Sequence, residues 1–321
     1  MSLDQLRRRL KGAMTALVTP FRNGEVDYPA LTSLIDWQIG QGIEALVPCG
    51  TTGEAPTLTW EERIGVIRSC IERAAGRIPV IAGTGTNNTE ATIAFTEAAR
   101  AFGADAALVV VPYYNRPSQE GIARHFEAVA AKVDIPLIVY DVPSRTGVDL
   151  TPATIARLAA IPSVIGIKDA TGDLSRPMAL AAALGDRLLQ FSGHDATAFG
   201  FNTMGGSGTI SVVANVAPRL MVEMQGALRS GDIRTARVLN HRLRPLVSAL
   251  ELETNPAPVK HALHLSCGVS PDLRLPMVPV EGRTGEAIGR ALAALDAGAL
   301  ADAAAFSRMR SPRFQAARNR P

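Results

Sequence analysis

Lys168 closes the apolar run Val164-Ile165-Gly166-Ile167 and is followed by Asp169-Ala170-Thr171-Gly172. An unbroken apolar stretch that gives way to polar residues and glycine describes a buried parallel strand with the lysine at its C-terminal end. Burial disfavours an ammonium relative to the free amine. A free amine adds to a ketone or aldehyde and forms a Schiff base. The plainer reading is a strand-end lysine that snorkels to water or pairs with Asp169. Other stretches carry groups of complementary chemistry. Gly50-Thr51-Thr52-Gly53-Glu54 sets hydroxyls between glycines, which suits a carboxylate or phosphate, or a plain β-turn. Pro112-Tyr113-Tyr114-Asn115-Arg116-Pro117 offers phenols, or an aromatic lid that packs on a neighbour. Tyr140-Asp141-Val142-Pro143-Ser144-Arg145 adds a phenol and a guanidinium. In Ser192-Gly193-His194-Asp195 the last pair could exchange protons or form a polar loop. The glycines of Gly205-Gly206-Ser207-Gly208-Thr209-Ile210 permit close approach to a ligand or serve a tight turn. Taken together these groups suit Schiff-base chemistry on a keto acid. Lysine attacks the carbonyl, a phenol moves protons, hydroxyls and N–H groups hold a carboxylate, and arginine clamps a second one.

Something must bring these stretches to one place. Each lies at the end of a short run rich in Val, Ile, Leu and Ala, or, for Gly205–Ile210, opens one: 13–20, 45–49, 79–82, 106–111, 136–140, 164–168, 188–191 and 208–213. Helical patterns lie between them. In 60–75, Ile64, Ile67, Cys70 and Ile71 share a stripe, and Thr59 with Glu62 reads as a capping box. Ile78-Pro79, Ile135-Pro136 and Ile161-Pro162 end helices and favour extended backbone. This alternation predicts an α/β fold, a (β/α)8 TIM barrel whose strand ends carry the site. A doubly wound sheet is the alternative. Gly83-Thr84-Gly85-Thr86 lacks the third glycine and downstream acid of a dinucleotide fingerprint, and reads as a strand-to-helix turn. Beyond about residue 215 the strand patterns stop. Leu239, Leu243, Leu246 and Leu250 mark a helical face, with Pro245 expected to kink it. The expected organisation is a barrel over 1–231, a C-terminal helical appendage over 232–300, and an Arg/Ser/Pro-rich tail over 301–321 expected to be disordered.

Composition narrows the class. With 47% hydrophobic and 20% charged residues over 321 positions, the chain has material for a large core. Net charge is +3, and five arginines fall in the last fifteen residues, so the remainder is near −2. That is not the distributed basic face of a nucleic-acid-binding domain. Cys49, Cys70 and Cys267 are scattered, without a CxxC pair, and suit a reducing compartment rather than a disulfide or zinc framework. Neither a signal peptide nor a membrane span is read, so a cytoplasmic location is expected.

Four motifs in order, Gly50-Thr-Thr-Gly-Glu54, Val111-Pro-Tyr-Tyr-Asn-Arg-Pro-Ser-Gln-Glu-Gly121, Tyr140-x-Val-Pro-Ser-Arg-Thr-Gly147 and Gly166-Ile-Lys-Asp-Ala-Thr-Gly172, resemble those of the dihydrodipicolinate synthase family. The likeness covers roughly residues 12 to 300. It implies an enzyme that condenses pyruvate with L-aspartate 4-semialdehyde in lysine and diaminopimelate biosynthesis. No cofactor is implied beyond the covalent Schiff base, and the implied assembly is a homotetramer, a dimer of dimers. By position, Lys168 would form the Schiff base and Tyr140 would donate and accept the proton. Thr51 and Tyr114 would complete a relay, Tyr114 reaching in from a neighbouring subunit. Thr52, Gly193 and the backbone around Ile210 would hold pyruvate, and Arg145 would receive the aldehyde substrate's carboxylate. A sister pyruvate aldolase, such as N-acetylneuraminate lyase or a 2-keto-3-deoxy sugar-acid aldolase, shares the lysine and tyrosine. Arg145 and the Thr51-Thr52 pair favour the synthase. Many members have Asn at the position of Asp141 and Asp at that of His194. Lysine-inhibited members carry Ser, His and Glu where this chain has Ala55, Arg63 and Ala91, so weak or absent feedback is expected.

Overall fold

Eight short parallel strands form the centre of the molecule: β1 (Gly12–Ala16), β2 (Ala45–Val47), β3 (Ile81–Gly83), β4 (Ala106–Val110), β5 (Leu137–Asp141), β6 (Val164–Asp169), β7 (Leu189–Ser192) and β8 (Gly208–Ser211). The computed structural model describes residues 2–295, so the tail at 301–321 lies outside the described residues. The strands are ordered β2-β1-β8-β7-β6-β5-β4-β3. A single parallel bridge, Leu46 to Val80, joins the two outer members. The ring is therefore a (β/α)8 barrel, as the strand–helix alternation predicts, followed by C-terminal helices.

The strands have no polar face because helices cover the outside and side chains fill the inside. Every residue of β1, β5 and β6 is buried. Met14, Ile81, Leu108, Ile138, Phe191 and Ile210 belong to one inner apolar cluster, and Tyr140 joins it. Closure between β1 and β8 depends on a glycine: a Cβ on Gly208 would stand 2.3 Å from the Gly12 carbonyl oxygen. Gly208, the first residue of β8, thus serves strand-to-strand approach.

The helix Trp60–Ala74 begins with the expected capping box. The Thr59 hydroxyl accepts from the Glu62 N–H at 3.2 Å, and the Glu62 carboxylate accepts from the Thr59 N–H at 2.9 Å. Its buried face is Arg63, Val66, Ile67, Cys70 and Ala74. That face is rotated from the stripe read in the sequence, and it carries a cation that apolar periodicity does not show. At the C-terminal end, the helix Ile233–Leu250 continues through Pro245. Leu239, Leu243, Leu246 and Leu250 are all buried, as their spacing predicts. With the helices Ala257–Cys267 and Gly282–Ala294 they share one apolar cluster with Leu31, Leu34 and Ile67 of the barrel's own helices. Among the described residues no helix is long and apolar enough to cross a membrane.

Candidate active site

Side chains alternate across a strand, so Tyr140 on β5 and Lys168 on β6 stand side by side because the two residues are register partners. The Lys168 Nζ lies 4.1 Å from the centre of the Tyr140 ring. Lys168 is 5% exposed and Tyr140 6%, so the amine does not snorkel to solvent. Nor does it pair with Asp169, whose carboxylate is taken by Arg176 and by the Thr171 hydroxyl and N–H. Next to it, Gly193 directly follows β7. A Cβ there would lie 2.9 Å from Lys168 Cε and 3.0 Å from the Ala170 Cβ. Glycine at that position gives the lysine stem its channel.

A cavity of about 300 Å³ opens beside this pair, with Thr51, Tyr113, Tyr140 and Arg145 in its wall. The hydroxyls of Thr51, Tyr113 and Tyr140 make no hydrogen bond among the described residues, leaving them available to a bound molecule. Thr52, Lys168, Gly193 and Ile210 are not in that wall. Thr52 is buried and its hydroxyl accepts from the Asn255 side-chain amide at 3.0 Å. Ile210 is in the inner cluster with Tyr140. Arg145 is exposed and donates to the Asn255 carbonyl at 3.1 Å. Tyr114 is the exception: with φ +70 and 89% exposure it projects away from its own chain's cavity. In this chain it is Tyr113, the neighbour, that faces the cavity.

Two further wall residues matter: Asn255, which sequence reading missed, and Arg63, which it read only as a position bearing on lysine feedback. Asn255 comes from the loop before the helix Ala257–Cys267, and its buried Oδ1 has no partner. Arg63 is buried and its guanidinium donates to the Gly83 and Gly85 carbonyls, with Phe95 stacked 4.1 Å from it. Burial lowers its pKa from the ordinary arginine value. No local signal marks Asn255 beyond the Asn-Pro dipeptide, because its importance arises from a contact across the fold. Cys49 is buried in the cavity wall, and burial pushes its thiol up to about 12, which keeps it protonated at neutral pH.

The threonine turn is held from behind by a buried ion pair. Glu54 takes φ +53 and accepts from Lys260, both side chains being almost fully buried. Burial lowers Lys260 to about 8 despite the opposing attraction of Glu54. At the other end, the His194 and Asp195 loop is structural. His194 Nδ1 meets the Thr197 hydroxyl at 3.0 Å. Asp195 accepts from the N–H groups of Val212 and Val213, bracing the end of β8.

Residues 9–295 match the model of the dihydrodipicolinate synthetase family. The chain belongs to that family. Two relatives named 4-hydroxy-tetrahydrodipicolinate synthase bear this out. The protein of Ruegeria pomeroyi is 50% identical over 282 residues, covering 88% of this chain and 97% of the relative. That of Parvibaculum lavamentivorans is 52% identical over 269 residues, covering 84% and 92%. The crystal structure of the chloride-inhibited dihydrodipicolinate synthase from Acinetobacter baumannii, complexed with pyruvate, superimposes with a TM-score of 0.86. It is 46% identical, and the match covers 89% of this chain and 98% of that one. As a dihydrodipicolinate synthetase family member, the chain is an enzyme, a lyase of lysine and diaminopimelate biosynthesis.

Proposed function

We propose that this enzyme condenses pyruvate with L-aspartate 4-semialdehyde through an imine on Lys168, giving 4-hydroxy-tetrahydrodipicolinate. The observation that carries the reading is a buried lysine amine against the Tyr140 ring, without an ion pair among the described residues, beside a cavity where the Thr51, Tyr113 and Tyr140 hydroxyls are free. The amine adds to the ketone carbon and water leaves, forming the imine. Loss of a methyl proton then gives an enamine, and its carbon attacks the aldehyde. Tyr140 moves the protons of these steps, with Thr51 next in the relay. Thr52 with the strand ends at Gly193 and Ile210 receives the pyruvate carboxylate, and Arg145 that of the semialdehyde. The substrate amine displaces Lys168 from the imine, which releases the product and restores the free enzyme. The covalent imine itself supplies the electron sink, so the route calls on no cofactor. Support for pyruvate as a substrate comes from the similar Acinetobacter baumannii enzyme, which was crystallised with it.

The exposure of Tyr114 supports the assembly part of the reading. An aromatic side chain projecting from a strained loop is available to a neighbouring copy, completing its relay within a dimer of dimers. The substrates are small soluble metabolites, and a cytoplasmic location belongs to the same reading. Mixing Tyr114→Phe with Lys168→Ala subunits checks it, since a mixed pair holds one intact site. Activity should return on mixing; none in confirmed mixed dimers contradicts the shared site.

Arg145 and the Thr51-Thr52 pair favour the synthase over a sister aldolase. The deciding experiment assays the purified enzyme with pyruvate and L-aspartate 4-semialdehyde, and separately for pyruvate release from sialic acid and a 2-keto-3-deoxy sugar acid. Turnover in the first assay alone is expected. Release from either sugar acid at a higher kcat/KM would give the site to an aldolase.

A further inference from the structure

We infer that Arg176 is a positioning residue for the Lys168–Tyr140 pair, an inference that rests on the Schiff-base reading above. Asp141 and Asp169 directly follow Tyr140 and Lys168 on β5 and β6, and they are register partners. Because side chains alternate, they leave the strands on the face opposite the reacting pair. Arg176, at the start of the helix Arg176–Leu184, reaches both. Its Nη2 donates to Asp141 Oδ2 at 2.7 Å, and its Nε lies 2.9 Å from Asp169 Oδ2. Nη1 donates to Asp149 at 2.8 Å. Both strand carboxylates are almost fully buried, while Asp149 is 62% exposed.

The planar guanidinium holds Asp141 by a hydrogen bond and Asp169 by charge at close range, without hydrogen-bond geometry, so one rigid cation couples the two carboxylates. The cation therefore ties the ends of β5 and β6 one residue beyond the groups that must meet. The backbone adds a second tie, the Ala170 N–H donating to the Asp141 carbonyl at 2.9 Å. A slip of either strand end would move Tyr140 against Lys168, and misplacement by about 1 Å is enough to cost on the order of a hundredfold in rate. A charge on Asp141 is not needed for the tie. Burial, reinforced by Asp149 and Asp169 and opposed by Arg176, pushes its carboxyl up to about 7, so a neutral acceptor is already sampled near neutrality. Hydrogen-bond geometry at Asp141 is what matters.

The test measures kcat, KM for pyruvate and the rate of borohydride trapping for Arg176→Met, Arg176→Lys, Asp141→Ala and Asp141→Asn. Circular dichroism checks that each is folded. Arg176→Met and Asp141→Ala should lose kcat by about tenfold or more with KM nearly constant. Their adduct should still form on Lys168, but more slowly. Arg176→Lys should fail similarly, since an ammonium cannot span the two carboxylates. Asp141→Asn keeps an acceptor and should recover most of the rate lost in Asp141→Ala. Wild-type kcat in Arg176→Met, or equal losses in Asp141→Asn and Asp141→Ala, would overturn the inference. Should Arg176→Met not fold, Arg176→Lys and the Asp141 pair decide it. Absence of a Lys168 adduct in the wild type would instead reject the Schiff-base reading, which keeps the two failures apart.

Discussion

Lys168 and Tyr140 are register partners on adjacent parallel strands, with the amine 4.1 Å from the centre of the phenol ring. Parallel pairing puts both at the C-terminal rim of the barrel, where strand ends and loops converge. The apolar neighbours that make the strands also exclude water from the amine. A single arrangement thus brings the proposed nucleophile and the proposed proton carrier together without a dedicated loop.

The buried pair behind the threonine turn should be worth more in stability than any surface ion pair. Lys260→Met leaves the Glu54 carboxylate buried without its cation. Such an uncompensated charge costs about 3–5 kcal/mol. Urea denaturation of the variant should show a loss of that order, and adding Glu54→Gln should recover part of it. A loss below about 1 kcal/mol would place the pair in the weak class of exposed salt bridges.

Asp141 sets a pH-dependent term. Its carboxyl is raised from 3.8 to about 7 in the folded chain, chiefly by burial. Between those values the folded state holds a proton that the unfolded state has released. Its contribution therefore falls as pH rises from about 4 to about 7, by at most about 1.4 kcal/mol per pH unit, and is level above that. Asp141→Asn cannot titrate. The stability of the variant relative to wild type should therefore rise between pH 5 and pH 8, by on the order of 2 kcal/mol, when both are unfolded in urea. An unchanged difference at the two pH values would contradict the raised carboxyl.

Lysine should inhibit weakly or not at all. Where lysine-inhibited members carry a histidine, Arg63 fills the wall with a buried cation hydrogen-bonded to the carbonyls of Gly83 and Gly85. Trp60 packs on Phe95, with ring centres 4.4 Å apart. Ala91 offers no anion for an ammonium. A like charge in a partly desolvated cleft opposes binding. A lysine titration at subsaturating pyruvate should show no inhibition tighter than about 1 mM, roughly −4 kcal/mol. Strong inhibition below that concentration would contradict this account of the cleft.

Much of the barrel could be read from local sequence because each strand is a short apolar run between helix signals. Strand ends followed, and with them Lys168, Tyr140 and the Thr51-Thr52 turn. What periodicity does not convey is contact between distant segments. Asn255 meets Thr52 across 203 positions, and Lys260 meets Glu54 across 206. Arg63 sits on a helix face that an apolar count reads as polar, and Arg176 looks like an ordinary helix-start residue. Each gains its meaning from partners that only folding supplies.

The central claim is that Lys168 is the residue that carries pyruvate. Incubation with pyruvate and borohydride, then peptide mass mapping, tests it most directly. A reduced pyruvyl adduct on Lys168 with loss of activity is predicted, and Lys168→Arg, whose guanidinium stays protonated, should form none. An adduct on a different lysine, or no adduct in an active preparation, would contradict the account.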